Sequence, residues 1–204
     1  MSYQKDLFVV GLSENKMAYF NLAKLTSRIF KPETIFNSHL KYQTRKVAVF
    51  PDGKGFAEGS IEGRVAIKNI DNLNNPPPLD ESGTINSDGD FAFRCHRNTI
   101  VEPPLVYSVN DIAFNPVYGT FCTVGSDGIY YIWDKFRRCR LFQRTDGNNN
   151  IPITTCDYNS EGNLLAFSTG YDWSRGAEAA KKYDSSCYKI RIHYLPQKQR
   201  IIQR

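Results

Sequence analysis

The sequence predicts an all-β protein whose short strands form repeated sheets, arranged like the blades of a β-propeller. Two observations predict it: residues 109–135 contain three short apolar strands joined by tight turns, and the same order of strands recurs on both sides. Between the second and third strands stands Gly125-Ser126-Asp127-Gly128, where Asp and Gly supply the positive φ values of a tight hairpin. Because a propeller blade is a surface that holds partners, we expect binding rather than chemistry.

The central repeat carries the most specific pattern. Its strands are predicted at residues 109–114, 120–124 and 129–133, and it closes on Trp133-Asp134. Strand, turn, Gly-Ser-Asp-Gly, strand and Trp-Asp is the order of one WD40 blade. We expect Trp133 to pack between blades and Asp127 to hold its turn, so both are interpreted as structural.

The repeat recurs upstream at residues 46–70 and downstream at 155–170, and an alternating strand follows at 188–195. The last two copies lie about 44 residues apart, which fits a repeat of about 40–45, whereas the first two lie about 64 apart. Residues 71–90 account for the greater spacing between the first two copies. They contain three consecutive prolines among Asn, Asp, Ser and Gly, and therefore predict a long disordered insertion before an outer strand at 91–95.

The first residues of the chain predict only part of a blade, with a hairpin at 7–10 and 17–22 and a possible outer strand at 26–30. About three and a half blades result, an incomplete ring, because propellers close with roughly 4–8 blades. Either an N-terminal half is missing or a second copy closes the ring. The predicted units are a partial blade 1–38, a blade 39–105 with the insertion 71–90, a blade 106–148, the last blade 149–195 and a basic tail 196–204.

Composition excludes several classes of protein. No apolar run approaches 18 residues, so no membrane insertion is predicted, and the N-terminus lacks the pattern of a signal peptide. Five dispersed cysteines without C-x-x-C spacing indicate an intracellular, reduced protein. Phosphate-loop, Gly-x-Ser-x-Gly and His-Glu-x-x-His motifs are absent, so we predict no enzyme and no cofactor. His96 adjoins Cys95, but neighbouring strand residues point to opposite faces, and we predict no metal site.

The net charge of +5 is unevenly distributed. Residues 71–90 hold five acidic residues and no basic one, so the rest of the chain is more basic than the total suggests. Each of two basic runs is either a solvated edge strand or tail, or a phosphate-facing patch. The runs are Lys135, Arg137, Arg138, Arg140 and Arg144, and then Lys189, Arg191, Lys198, Arg200 and Arg204.

Residues 40–195 resemble a particular propeller family, the nuclear-pore mRNA export factors, whose near relatives are the spindle-checkpoint propellers. The string Tyr171-Asp172-Trp173-Ser174-Arg175-Gly176 favours the export branch, since the checkpoint relatives lack this loop. The chain would then correspond to the C-terminal half of such a factor. The other matching strings are Leu40-Lys41-Tyr42-Gln43-Thr44-Arg45, residues 59–66, residues 91–97, residues 109–114 and Trp133-Asp134-Lys135.

The resemblance implies a non-enzymatic adaptor in nuclear mRNA export, located in the nucleus, at the nuclear envelope and pore, and also in the cytoplasm. Family members dock on an FG-repeat nucleoporin through its acidic GLEBS peptide. Arg97 matches the arginine that meets the carboxylates of that peptide, which suits a planar guanidinium. The alternative is that Arg97 merely ends an outer strand in solvent.

The Trp173 string matches a family loop associated with single-stranded RNA in the mRNP. Trp173 and Arg175 could stack a base, and Lys181 and Lys182 could add phosphate contacts. The alternative is that Trp173 packs beneath the loop and anchors it. Two rival functions also follow: a mitotic-checkpoint-type adaptor that reads acidic peptides of checkpoint or spindle proteins without binding RNA, or a truncated, non-functional fragment.

Overall fold

The computed structural model describes residues 1–26, 31–75, 89–145 and 151–197. Within each sheet, strands that follow one another in the chain lie side by side and pair antiparallel. Sheet 1 contains β1 Ser2–Gln4, β2 Leu7–Gly11, β3 Lys16–Asn21 and β4 Thr34–Asn37; sheet 2 contains β5 Thr44–Val49, β6 Gly55–Ser60, β7 Arg64–Asn69 and β8 Phe91–Arg94. Sheet 3 contains β11 Val109–Phe114, β12 Phe121–Gly125, β13 Ile129–Asp134 and β14 Cys139–Thr145; sheet 4 contains β15 Ile153–Tyr158, β16 Leu164–Thr169 and β17 Lys189–Tyr194. Shorter elements are α1 Leu22–Thr26, α2 Ile70–Asn74, the hairpin of β9 Arg97–Asn98 and β10 Leu105–Val106, α3 Gly176–Ala180 and a 3-10 helix Ser185–Cys187.

The four sheets stack as successive blades, with the first strand of each sheet innermost. An apolar cluster fills each interface between neighbouring sheets: Val9, Met17 and Phe56 between sheets 1 and 2, Phe50, Ile67 and Phe121 between sheets 2 and 3, and Tyr130, Leu165 and Leu195 between sheets 3 and 4. Each blade therefore gains stability by burying its faces against its neighbours. The predicted all-β, incomplete propeller is confirmed.

The first sheet differs from its prediction as a partial blade, because the described residues give it four strands. The extra strand is β1, whose three residues, Ser-Tyr-Gln, carry no apolar alternation. The outer strand is β4 rather than residues 26–30; Thr26 ends α1, and residues 27–30 lie outside the described ranges. The sheet with three described strands is the last one.

The insertion at residues 71–90 is structured at both ends. Its first residues form α2, and Asp90 accepts hydrogen bonds from Lys68 Nζ at 2.6 Å and from the Asn69 backbone N–H at 2.9 Å. The prediction of a disordered segment is therefore wrong for these ends, because Asp90, a polar residue of the insertion, hydrogen-bonds to Lys68 and Asn69 of β7. Residues 76–88 lie outside the described ranges.

Sheets 1 and 4 each carry one face that no other described sheet covers. On sheet 4 this face displays Ile190, Ile192 and Tyr194, which are 82%, 70% and 59% exposed, whereas the opposite face of the sheet packs on sheet 3. Tyr3 and Ile35 are exposed on sheet 1. These apolar faces are the surfaces that a further blade would bury in a closed ring.

The connections alternate between the two ends of the sheets because the strands alternate in direction. We call the end where β5, β11 and β15 begin the upper end. At the start of each of these innermost strands the register shifts by one residue, and the additional residues are Arg45, Asn110 and Thr154. Such a bulge re-aims a side chain. Arg45 is exposed at the upper end of the central space, which we call the mouth, whereas Asn110 donates to the Ile153 carbonyl and Thr154 hydrogen-bonds to Ser168.

Candidate functional site

A buried network at the interface of sheets 2 and 3 organises the upper end. Trp133 Nε1 donates to Thr123 Oγ1 at 2.9 Å, and Thr123 Oγ1 lies 3.0 Å from His96 Nε2. Because the Asp127 carboxylate can only accept, His96 Nδ1–H donates to it at 2.8 Å, and in the neutral imidazole Nε2 then accepts from the Thr123 hydroxyl. The network supports the structural interpretation of Trp133 and Asp127, and Trp133 packs on Phe93 with ring centroids 4.6 Å apart.

His96 lies beyond the outer strand β8, and its φ of 49° turns the chain. The premise that it shares a strand with Cys95 is therefore wrong. The imidazole approaches the backbone of Gly125 so closely that a Cβ there would lie 2.4 Å from Nδ1, which explains the glycine of the Gly-Ser-Asp-Gly turn. In the described ranges no group of three His, Cys, Asp or Glu side chains could hold a metal ion.

Arg97 follows this turn and is fixed by it. Its guanidinium is half-buried and donates through Nη2 to the Glu62 carbonyl at 2.7 Å, so it does not simply end a strand in solvent. Nε is buried and donates to no described residue. An oriented guanidinium with N–H groups to spare is suited to a carboxylate ligand.

The hairpin of β9 and β10 extends from Arg97 and was not predicted, because each of its strands has two residues. Its residues Ile100, Leu105 and Val106 are exposed, Ile100 to 95%. An exposed apolar patch beside an oriented arginine fits an amphipathic, acidic ligand.

The Trp173 loop, residues 171–176, is ordered by its own hydrogen bonds. The Tyr171 hydroxyl accepts from the Arg175 backbone N–H at 3.0 Å and donates to the Gly176 carbonyl at 2.8 Å. The Tyr171 ring stacks on Tyr183 with centroids 4.7 Å apart. Between these anchors Trp173 adopts a φ of 61° and remains 66% exposed, so it does not pack beneath the loop.

Asp172 holds the Trp173 loop against sheet 3. Its carboxylate accepts hydrogen bonds from Ser126 Oγ and, at 2.7 Å, from Ser174 Oγ. Burial raises the pKa of Asp172, but these hydrogen bonds outweigh burial and hold the pKa below its usual range. The carboxylate is therefore an internal anchor.

The structure brings the predicted cations together only in part. Arg175 is exposed within the Trp173 loop, and Lys182 is exposed just after α3. Lys181 forms an exposed ion pair with Glu178 at 2.8 Å. Arg97 stands at the same end of the molecule but on the connection between sheets 2 and 3.

Arg45 is a functional candidate that sequence reasoning missed. It is exposed at the mouth, and its Nη2 donates to the carbonyl of Asp172 at 3.4 Å. The contact joins sheet 2 to the Trp173 loop of sheet 4 across 127 residues of sequence. No local pattern in the sequence reveals such a distant pair.

Three cations of the run at residues 135–144 lie close to aromatic rings. Lys135 Nζ lies 4.0 Å from the ring centroid of Phe50, and Arg138 Cζ lies 5.0 Å from that of Phe91. Arg140 Cζ lies 5.7 Å from the ring of Tyr131. These cations cover buried or half-buried rings and form a second basic surface at the rim of sheets 2 and 3, which we call the rim surface. Of the second run, residues 198–204 lie outside the described ranges.

Comparison with known proteins finds RNA export proteins from different organisms. The chain is 40% identical over 191 residues to the poly(A)+ RNA export protein of Schizosaccharomyces pombe, covering 94% of this chain and 49% of that protein. It is 41% identical over 177 residues to the mRNA export factor of Xenopus tropicalis, covering 83% of this chain and 44% of that factor. The chain is homologous to the mRNA export factors. It spans about half the length of the curated relatives it matches.

The comparison of structures agrees at the level of fold. A chain in a crystal structure of the mitotic checkpoint complex superposes with a TM-score of 0.59 over 84% of this chain and 46% of that chain, at 15% identity. This likeness shows the propeller fold alone. No protein-family model matches the chain. No helix in the described ranges is long and apolar enough to cross a membrane.

Proposed function

We propose that this homologue of the mRNA export factors is a non-enzymatic adaptor in mRNA export at the nuclear pore. In this proposal Arg97 and the β9–β10 hairpin bind an acidic GLEBS-type nucleoporin peptide, and the Trp173 loop binds single-stranded RNA of the mRNP. The observation that carries the proposal is the homology to export factors, which covers 94% of the chain for the S. pombe protein.

The charge distribution at the upper end supports both ligands. The carboxylates of Asp127 and Asp172 are occupied by His96 and by serine hydroxyls. Arg45 and Arg175 remain exposed around them. The surface therefore presents cations to an anionic partner, and these two carboxylates do not compete for them.

The peptide site is tested with a GLEBS-type peptide and fluorescence anisotropy. Arg97→Ala should weaken binding at least tenfold, because truncating one partner of a charge-assisted pair costs about 2–5 kcal/mol. Arg97→Lys should restore little, since a lysine cannot bind a carboxylate bidentately. Arg94→Ala is the matched control: it removes an exposed arginine three residues away on β8. Equal effects of Arg94→Ala and Arg97→Ala would contradict the assignment.

The RNA site is tested with the double variant Trp173→Ala/Arg175→Ala. We expect about tenfold or greater loss of single-stranded RNA affinity, because one stacked base contributes about 1–3 kcal/mol, with peptide binding unchanged. Wild-type RNA affinity should fall steeply between about 50 and 200 mM salt. Loss of RNA and peptide binding together would contradict the separation of the two sites.

The rim surface is the alternative RNA site, and a second double variant tests it. Arg138→Ala/Arg140→Ala removes two exposed cations over Phe91 and Tyr131 and leaves the upper end unchanged. If this variant loses RNA affinity and the Trp173 variant does not, the RNA site belongs to the rim surface. Absence of RNA binding by the wild-type chain would favour a checkpoint-type adaptor that reads peptides alone.

A further inference from the structure

We propose that the RNA surface continues from Trp173 across the mouth to Arg45 and Tyr42, so that single-stranded RNA stacks on two aromatic platforms. This inference rests on the proposed RNA-binding function of the Trp173 loop. It adds a second aromatic ring, Tyr42, and the path from Trp173 to Tyr42 along which the RNA would extend.

The junction between the platforms is a direct contact. Arg45 Nη2 donates to the carbonyl of Asp172, the residue that precedes Trp173. The bulge at the start of β5 turns Arg45 upward, and the Ser126 hydroxyl holds Asp172 from sheet 3. Groups from sheets 2, 3 and 4 therefore meet at one point beside the exposed indole.

The second platform repeats the chemistry of the first. Tyr42 lies three residues before Arg45, its ring is half-exposed, and Lys41 Nζ lies 5.6 Å from the ring centroid. The segment is held in place because the Gln43 carbonyl accepts the Ile61 backbone N–H at 3.1 Å. Tyr42 with Lys41 thus matches Trp173 with Arg175: an exposed ring beside a cation, which suits a base and its phosphate.

The charge between the platforms favours a polyanion. Arg45 is exposed, and the carboxylate of Asp172, whose carbonyl it contacts, is buried and accepts hydrogen bonds from Ser126 and Ser174. A phosphate at this junction would meet the Arg45 guanidinium, and the Asp172 carboxylate is already hydrogen-bonded. A nucleic-acid strand long enough to span the mouth should therefore contact both rings.

The experiment compares two oligouridylates, one of about four nucleotides and one of about twelve, which cover the usual range of single-strand site sizes. Tyr42→Ala should lower the affinity for the long oligonucleotide by about tenfold and leave the short one unchanged, since the short one is held by Trp173. Tyr42→Phe keeps the ring and should restore long-oligonucleotide binding. Tyr3→Ala, which removes an exposed ring of sheet 1, should change neither affinity.

The outcomes separate the two proposals. If Trp173→Ala weakens both oligonucleotides and Tyr42→Ala weakens neither, the extension is overturned and the RNA site at Trp173 stands. If Trp173→Ala has no effect on either, the proposed RNA site itself fails. If Tyr42→Ala weakens both lengths equally, or if Tyr3→Ala acts like it, Tyr42 is not a second platform for longer strands.

Discussion

Sheets 2 and 3 place different chemistry at the same four positions. By strand register, Glu58, Lys68 and Glu62 of sheet 2 correspond to Thr123, Trp133 and Asp127 of sheet 3. The fourth position is a histidine two residues beyond the outer strand of the preceding sheet: His39 after sheet 1, facing sheet 2, and His96 after sheet 2, facing sheet 3. In sheet 3 these positions form the hydrogen-bonded network around a buried histidine. In sheet 2 the histidine is exposed, and buried ionisable groups replace the neutral ones.

Sheet 2 satisfies its charged groups through residues from outside the four positions. The Glu58 carboxylate accepts hydrogen bonds from Ser38 Oγ at 2.6 Å and from the Thr44 hydroxyl. Lys68 pairs with Asp90, which arrives at the far end of the insertion. The comparison shows that equivalent positions can be stabilised either by a histidine network, in which Asp127 is the one carboxylate, or by the ion pair of Lys68 with Asp90 beside the hydrogen-bonded Glu58. The buried Glu58 makes the stability of sheet 2 depend on pH.

The largest effect should come from breaking the ion pair of sheet 2. Asp90→Ala leaves the Lys68 ammonium buried without its partner, and we expect a loss of about 3–5 kcal/mol in the free energy of unfolding. Chemical denaturation measures it. The double variant Lys68→Met/Asp90→Ala should recover most of this loss, because an apolar replacement of a buried pair is nearly neutral. A double variant as unstable as Asp90→Ala would show that the pair is not the cause.

Breaking the network of sheet 3 should cost less. His96→Ala removes the Nδ1–H donor to Asp127 and the Nε2 acceptor of the Thr123 hydroxyl and leaves only the bonds from Ile129 N–H and Trp133 Nε1, which should lower the free energy of unfolding by about 1–3 kcal/mol. No buried ammonium is left unpaired here, unlike in sheet 2. His39→Ala, at the equivalent exposed position, is the control and should be close to neutral. A similar loss in both variants would remove the distinction between the two sheets.

The smallest effect, of opposite sign, concerns Glu58. Burial raises the pKa of Glu58, although hydrogen bonds from Ser38 and Thr44 and the nearby Lys68 oppose the shift. The folded state therefore binds the proton more tightly than the unfolded chain. The resulting stability is fully present below the ordinary glutamate pKa of 4.5 and is lost as the pH rises through the raised pKa.

Glu58→Gln should therefore stabilise the protein at pH 7, raising Tm by about 2–4 °C if the gain is about 1 kcal/mol. The gain should shrink toward pH 4, where Glu58 is already protonated. Glu102→Gln, at an exposed glutamate of the β9–β10 hairpin, should show no such trend. Thermal unfolding of both variants across this pH range measures the difference, and a gain independent of pH would contradict the assignment.

The parts of the fold that could be predicted are those encoded locally. Alternating apolar residues and Gly-Ser-Asp-Gly located sheet 3 within one residue at most strand ends, because both signals act over a few positions. Strand β1 could not be predicted, since Ser-Tyr-Gln has no apolar face. It is held by pairing with β2 and by the Ser2 hydroxyl, which accepts the Val49 backbone N–H at 3.0 Å. Residues 26–30 resembled a strand as well as residues 34–37 did, so the outer strand of sheet 1 was misplaced.

The candidate site could be predicted only in part, because many of its contacts join residues that are distant in sequence. The motif strings located Arg97, Trp173 and Arg175, but nothing in them indicates exposure, which the structure supplies. His96 lies 31 residues from Asp127, and Arg45 lies 127 residues from Asp172. Such pairs arise from the stacking of sheets rather than from any local pattern. A histidine just after an outer strand, followed by an Asp-Gly turn in the next repeat, would have been the available signal for the first pair.

The bulges of the innermost strands have a consequence for how such proteins diversify. Each bulge adds one residue at the upper end of an innermost strand, outside the apolar clusters that hold neighbouring sheets together. Arg45 is exposed there, whereas Asn110 is used internally, donating to the Ile153 carbonyl at 2.9 Å. Residue 45 can therefore vary without disturbing the apolar residues between the sheets. A designer could alter what the mouth binds by substitution at position 45 while the blade beneath stays intact.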